Sequence, residues 1–192
     1  MNDSCPPSPS WRAIGAATLA LAAIVLLAPG PGLAFTGDIK KDPRDVVSAY
    51  VSLDAKGVRL EAVSWETLKP YIAWKDEPAW GKVVVVESYD VSDDVATWEI
   101  VSTLEVVIPV QFKVLGFMYW ETAAFAPGTE NEEVRFRVKA VKDRWRIVEP
   151  MIQPHVSRTR LMGFVKQAML DEPDATRKAQ LAELRDHIKG AP

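Results

Sequence analysis

The stretch VKAVKDRWRIVEP, residues 138–150, decides how this chain folds. Lys142 and Asp143 make a two-residue polar break between two runs in which apolar and basic residues alternate, the period of a half-buried strand pair. With KD as the turn, Val138 pairs with Ile147 and Ala140 with Trp145 on one face. Lys139 then pairs with Arg146 and Val141 with Arg144 on the other, because side chains alternate faces along a strand. Arg135 and Arg137 continue that second face, so Arg135, Arg137, Lys139, Arg144 and Arg146 form a basic strip. Directly opposed like charges are unfavourable, so the strip needs acidic neighbours or a bound anion. Glu87, Glu99 and Glu105, on other strand-like runs, can supply the acids and make the strip an ion-paired sheet face; the alternative is a surface belonging to another molecule.

Upstream of the hairpin the same period holds. KVVVVESYDV (82–91), VATWEIVSTLEVVI (95–108), VQFKVLGFMYWETAAF (110–125) and EEVRFRVKAV (132–141) are rich in β-branched and aromatic residues and are separated by SDD, Pro109 and APGTEN. With the hairpin they read as four to six antiparallel strands. Gly116, inside a long run, marks a bulge or bend, the device that curls a sheet.

Helical segments flank the strands. In DPRDVVSAYVSLDAKG (42–57), Asp42 is placed to cap, Pro43 takes the first helical position, and Val46, Ala49, Tyr50 and Leu53 form one stripe that Gly57 ends. SWETLKPYIAW (64–74) reads as a short second helix capped by Ser64 and broken at Pro70. Beyond EPMIQP, Ser157 caps a helix with Leu161, Phe164, Val165, Ala168 and Met169 on one side. Asp174 caps a last one carrying Leu181, Leu184 and Ile188. The expected class is α+β, a curved antiparallel sheet around N-terminal helices with a C-terminal helical extension.

The N-terminus has the layout of an export signal: Arg12, an apolar run over 13–28, PGPG, and small residues ending at Ala34. The run is shorter than the roughly 20 residues of a membrane-spanning helix, so cleavage near Ala34 is the expectation and a retained anchor the alternative. Cys5, the single cysteine, lies ahead of the run and would leave with it. The expected organisation is a signal segment at 1–34, an α+β domain at 35–154 and a helical pair at 155–192, in a secreted or periplasmic bacterial protein held together by its core alone. A net charge of -3 argues against a nucleic-acid partner.

The order of a capped helix, a short tryptophan-bearing helix and a long curved sheet ending in KDRWRIVEP resembles the nuclear transport factor 2-like superfamily, the cone-shaped α+β fold that ketosteroid-isomerase-like proteins share. The carrying residues are Asp143, Arg144, Trp145, Arg146, Ile147 and Val148, and the resemblance spans about 42–154. It implies a fold with a cavity. Members of the superfamily range from isomerases and hydratases to binding domains without activity, so the function has to come from the site.

Tyr50, Trp98, Tyr119, Trp120 and His155 are the candidates for lining such a cavity. Each also has an ordinary reading: Tyr50 as a core tyrosine, the tryptophans as core fillers, His155 as a connecting-segment histidine bonded to a carbonyl. Glu105 and Glu121 are candidate inward-facing acids. No metal-ligand spacing, nucleophile elbow or phosphate-cradling glycine loop occurs, so neither metal nor cofactor is expected. The expected function is a non-enzymatic binding or interaction domain for an apolar small molecule or a protein partner, with a homodimer through the sheet face as one form. The alternative is a small isomerase- or hydratase-type enzyme with an acid or base inside the cone.

Overall fold

The structure, a computed structural model, describes residues 42–128 and 130–191. The expected signal segment, its cleavage near Ala34 and Cys5 lie outside the described residues.

Helix α1 (Pro43–Ala55) begins as its sequence dictates: Asp42 accepts the backbone N–H of Arg44 at 2.8 Å and Pro43 occupies the first turn. Gly57, at φ 74, turns the chain out of the helix in the left-handed conformation that glycine adopts without strain. The buried face is rotated from the expected stripe. Val46, Val47, Tyr50, Val51, Asp54 and Ala55 are buried, whereas Ala49 and Leu53 are half-buried.

The expected second helix is instead a pair of 3-10 turns, Val58–Leu60 and Ala62–Thr67. Pro70 prevents continuation, and the chain leaves the turns to run beside the sheet edge, where Ala73 N–H donates to Ile147 O at 2.9 Å and Ile147 N–H to Tyr71 O at 2.8 Å.

Seven strands follow: β1 (Val83–Val91), β2 (Glu99–Ser102), β3 (Glu105–Tyr119), β4 (Ala124–Pro127), β5 (Asn131–Val141), β6 (Arg144–Glu149) and β7 (His155–Ser157). They form one strongly curled sheet in the order β6-β5-β3-β1-β7, with β2 and β4 also paired to β3. The sheet is mixed where an antiparallel one was expected, because β7 returns after β6 and pairs parallel to β1. Its pairs are Val84 with His155 and Val86 with Ser157.

Strand β3 is the spine, and it runs through Pro109, where a break between strands was expected. The Pro109 carbonyl accepts from Ser92 N–H at 3.2 Å, so the nitrogen of the same residue faces that side too. There β1 has ended at Val91, opposite Val110, and β2 pairs only from Val107 on, so the missing N–H costs no ladder bond. Register shifts between Val85 and Ser88 bend the β1–β3 pair as the glycine in the run led one to expect. Gly116 sits at φ 151, and a Cβ there would lie 2.6 Å from the Phe125 ring and still closer to Ala126 O. The hairpin at 138–147 pairs as its alternation dictates: Val138 with Ile147, Lys139 with Arg146, Ala140 with Trp145 and Val141 with Arg144.

The sheet separates two cores. On one side α1, Leu68 and Ile72 pack on Val84, Val86, Ile108, Phe112, Phe136 and Ile147. On the other, α2 (Arg158–Asp171) and α3 (Ala175–Gly190) bring Leu161, Val165, Leu181, Leu184 and Ile188 onto Val83, Val85, Leu115 and Met118. Four consecutive valines are therefore buried, two to each side, the pattern of a strand covered on both faces. Among the described residues no helix is long and apolar enough to cross a membrane.

Candidate functional site

Tyr50 and Asp54 are one helical turn apart on the buried face of α1, and the turn at Gly57 brings Arg59 back against them. Arg59 is the hub of a buried polar cluster. Its Nη1 donates to Tyr50 Oη and to Asp54 Oδ2, each at 3.2 Å, and its Nη2 donates to Ile152 O at 2.6 Å. Its Nε reaches Glu77 Oε2 at 2.9 Å, and Nη2 lies 2.7 Å from the same oxygen. The Arg59 side chain is 2% exposed and that of Glu77 11%. Glu77 also accepts the indole N–H groups of Trp74 and Trp80, both at 3.2 Å. One carboxylate thus locks a guanidinium and two tryptophans.

Asp54 ties this hub to the parallel edge strand, since Oδ2 accepts His155 N–H at 3.0 Å. Burial raises the Asp54 carboxyl above its usual range, against the pull of Arg59 and the His155 N–H. Its second oxygen, Oδ1, is buried without a hydrogen-bond partner among the described residues. Burial also pushes the Tyr50 hydroxyl far above the ordinary tyrosine range, with the charge of Asp54 adding to the rise. His155 is held by Nδ1 against Gln153 O at 2.8 Å, and its ring lies 4.4 Å from Phe112. Its Nε2 is 3.5 Å from Glu132 Oε2, and this contact holds the Glu132 carboxyl below its usual range.

Above the Arg59–Glu77 pair opens a cleft of ≈ 490 Å³ walled by Trp65, Trp80, Trp120 and Phe164. Trp120 and Phe164 stand 5.0 Å apart, so α2 contributes one wall and the end of β3 another. Arg59 lies 5.8 Å from the Trp80 ring and Arg177, from α3, 5.8 Å from that of Trp120. Asp76 and Glu61 also line the cleft.

Of the five residues expected to line a cavity, Tyr50, Trp120 and His155 gather at this hub and cleft: Trp120 in a wall, Tyr50 on Arg59, His155 behind Asp54. Trp98 and Tyr119 do not. Trp98 packs on the first core with its indole N–H on Ser92 O at 3.2 Å, and Tyr119 is 38% exposed. Asp54, Arg59 and Glu77 escaped the sequence reading. The signal for Asp54 was present, since Val47, Tyr50, Val51 and Asp54 fall at i, i+3, i+4 and i+7.

The basic strip meets acids of its own sheet. Arg137 is 2.8 Å from both Glu105 and Glu149, Lys139 is 3.3 Å from Glu105, and Arg135 reaches Glu133 at 3.4 Å and Glu99 at 3.8 Å. Glu87, the other expected partner, pairs with Lys113 and Arg158. Arg146 donates to Lys69 O at 2.7 Å and Ile72 O at 2.8 Å, pinning the chain that covers the sheet edge. Arg144 is exposed and has no partner among the described residues. No group of three or more potential ligands is placed to hold a metal among the described residues.

No protein-family model, curated protein or solved structure matches the chain.

Proposed function

We propose that this chain is a secreted or periplasmic binding domain of the cone-shaped, nuclear transport factor 2-like type, and that its ligand site is the aromatic cleft above Arg59 and Glu77. One observation carries the reading. Glu77 fixes Trp80 and Arg59 at the floor of an open cleft, so its aromatic wall is set before any ligand arrives, and preorganisation of this kind lowers the ordering cost of binding. The curl of the sheet over α1 supports the cone assignment, and the apolar run at 13–28 supports export.

The inside of the curl is filled by side chains of α1 and the strands, which disfavours catalysis inside it. The acid and the histidine at its margin are engaged in structural contacts, Asp54 with Arg59 and His155 with Gln153 O. One feature favours the isomerase or hydratase alternative: Oδ1 of Asp54, without a partner among the described residues, on a carboxyl whose proton affinity burial raises.

A thermal-shift screen of the full chain tests the two together. Compounds that raise the melting temperature are expected to perturb tryptophan fluorescence and to lose both effects in Trp80→Ala and Trp120→Ala. Binding is expected to survive Asp54→Asn. A ligand indifferent to both tryptophan substitutions would put the site elsewhere, and a ligand that is turned over only while Asp54 is intact would establish the enzyme.

A further inference from the structure

The cleft also carries information about the charge of what it binds. Its lining contains four ionisable groups, Arg59, Glu61, Asp76 and Glu77. Arg59 is buried, and its donors are taken up by Glu77, Asp54, Tyr50 and Ile152 O. It has no N–H left to offer an anion. Glu77 is likewise engaged by Arg59 and two indoles, and Glu61 is paired with Arg160 at 2.6 Å. Asp76 is left. It is exposed, lines the cleft and has no hydrogen bond or ion pair among the described residues.

Of the ionisable groups in the lining itself, Asp76 alone is therefore without a partner among the described residues, and it stands among indole rings. Trp80 has its N–H on Glu77, which leaves the ring as its contribution to the cleft. Trp120 and Trp80 each already have a guanidinium 5.8 Å from the ring, so cation–π geometry is present in the cleft wall. The third ring, Trp65, has no such neighbour among the described residues and lines the same space. Aromatic faces with a nearby carboxylate recognise a cation whose charge is spread over apolar substituents, because such a cation gives up little hydration on entering.

We infer that the cleft binds an organic ammonium ion with apolar substituents, its head against the indoles and Asp76 as counter-charge. The inference rests on the cleft being the ligand site. Choline is the probe, and 3,3-dimethylbutan-1-ol, the same shape without the charge, is its control. Titration calorimetry and tryptophan fluorescence on the full chain are expected to show choline binding at least about tenfold more tightly than the alcohol. Asp76→Asn, a surface change that leaves the fold intact, is expected to weaken choline about threefold or more and to leave the alcohol unchanged. Trp65→Ala is expected to weaken both.

Equal binding of choline and the alcohol, both lost in Trp65→Ala, overturns the cation inference and leaves the aromatic cleft as the ligand site. Choline binding that ignores Asp76→Asn and Trp65→Ala overturns it as well, by locating the cation elsewhere. Absence of choline binding also overturns it; if the thermal-shift screen then finds no ligand sensitive to the cleft tryptophans, the binding-site reading falls too.

Discussion

At the scale of single residues, Arg59 has more partners than any other side chain described. It neutralises two acids at once, and the asymmetry of buried charge decides what its loss does: removing one member of a buried pair leaves the others uncompensated. Arg59→Met, which keeps the apolar stem, is expected to cost about 3–5 kcal/mol, read as a lower urea midpoint at unchanged slope. Arg59→Lys is expected to rescue only part of this, since one ammonium cannot reach Glu77, Asp54, Tyr50 and Ile152 O together. Glu132 gives the pH dependence at this scale. His155 holds its folded carboxyl below the ordinary value of 4.5, so between those values the unfolded chain binds the proton and the folded chain does not. The stability this contact contributes on the acid side is lost as pH falls through the folded value. Melting curves between about pH 3 and 6 are expected to show a shallower acid-side loss in Glu132→Gln than in the parent chain. These partners were not legible as a set: Asp54 and Arg59 flank a single turn, but Glu77 and His155 come from separate segments, and only the fold brings all four together.

At the scale of elements, what was legible depended on whether geometry is local. The 138–147 pairing could be read because a two-residue turn fixes register, and every pair then follows from alternation. That turn is built from the wrong residues for its backbone. Lys142 and Asp143 both have positive φ, 49 and 64, the conformation in which asparagine and glycine are favoured and a lysine is strained. The double change Lys142→Asn with Asp143→Gly is expected to stabilise by about 1 kcal/mol and to raise the melting temperature by about 2–4 °C, measured by calorimetry. A fall in melting temperature would mean that the Lys142 or Asp143 side chain has a part the turn geometry does not explain. The segment after α1 was not legible, because its conformation comes from distant contacts: Arg146 and the edge of β6 hold it, where helix propensity alone favoured a helix. Strand β7 was missed for a related reason. Three residues carry no period, and its pairing with β1 is set by a return across the molecule.

At the scale of the whole described unit, the C-terminal helices, expected as a helical extension, cover the second face of the sheet. The signal was in VVVV at 83–86, since a strand with one solvated face would alternate and this one does not. Val84 and Val86 serve the core under α1, while Val83 and Val85 meet α2 and α3. If the helices are structural, a chain ending at Ser157 keeps every strand and still exposes Val83, Val85, Leu115, Met118 and Val156, all 8% exposed or less in the intact fold. Burial of such side chains is worth about 1.5–3 kcal/mol each, and their sum rivals the roughly 5–15 kcal/mol by which a whole domain is stable. The truncated chain is therefore expected to be insoluble or to bind a hydrophobic dye such as ANS without a cooperative melt. Leu161→Ala, which leaves the helix in place, is expected to cost about 2–5 kcal/mol and to preserve a cooperative transition, separating loss of packing from loss of the chain itself. A soluble, cooperatively melting truncate would mean the sheet closes its second face by another route, and the wall that Phe164 gives the cleft would then be dispensable to the fold as well.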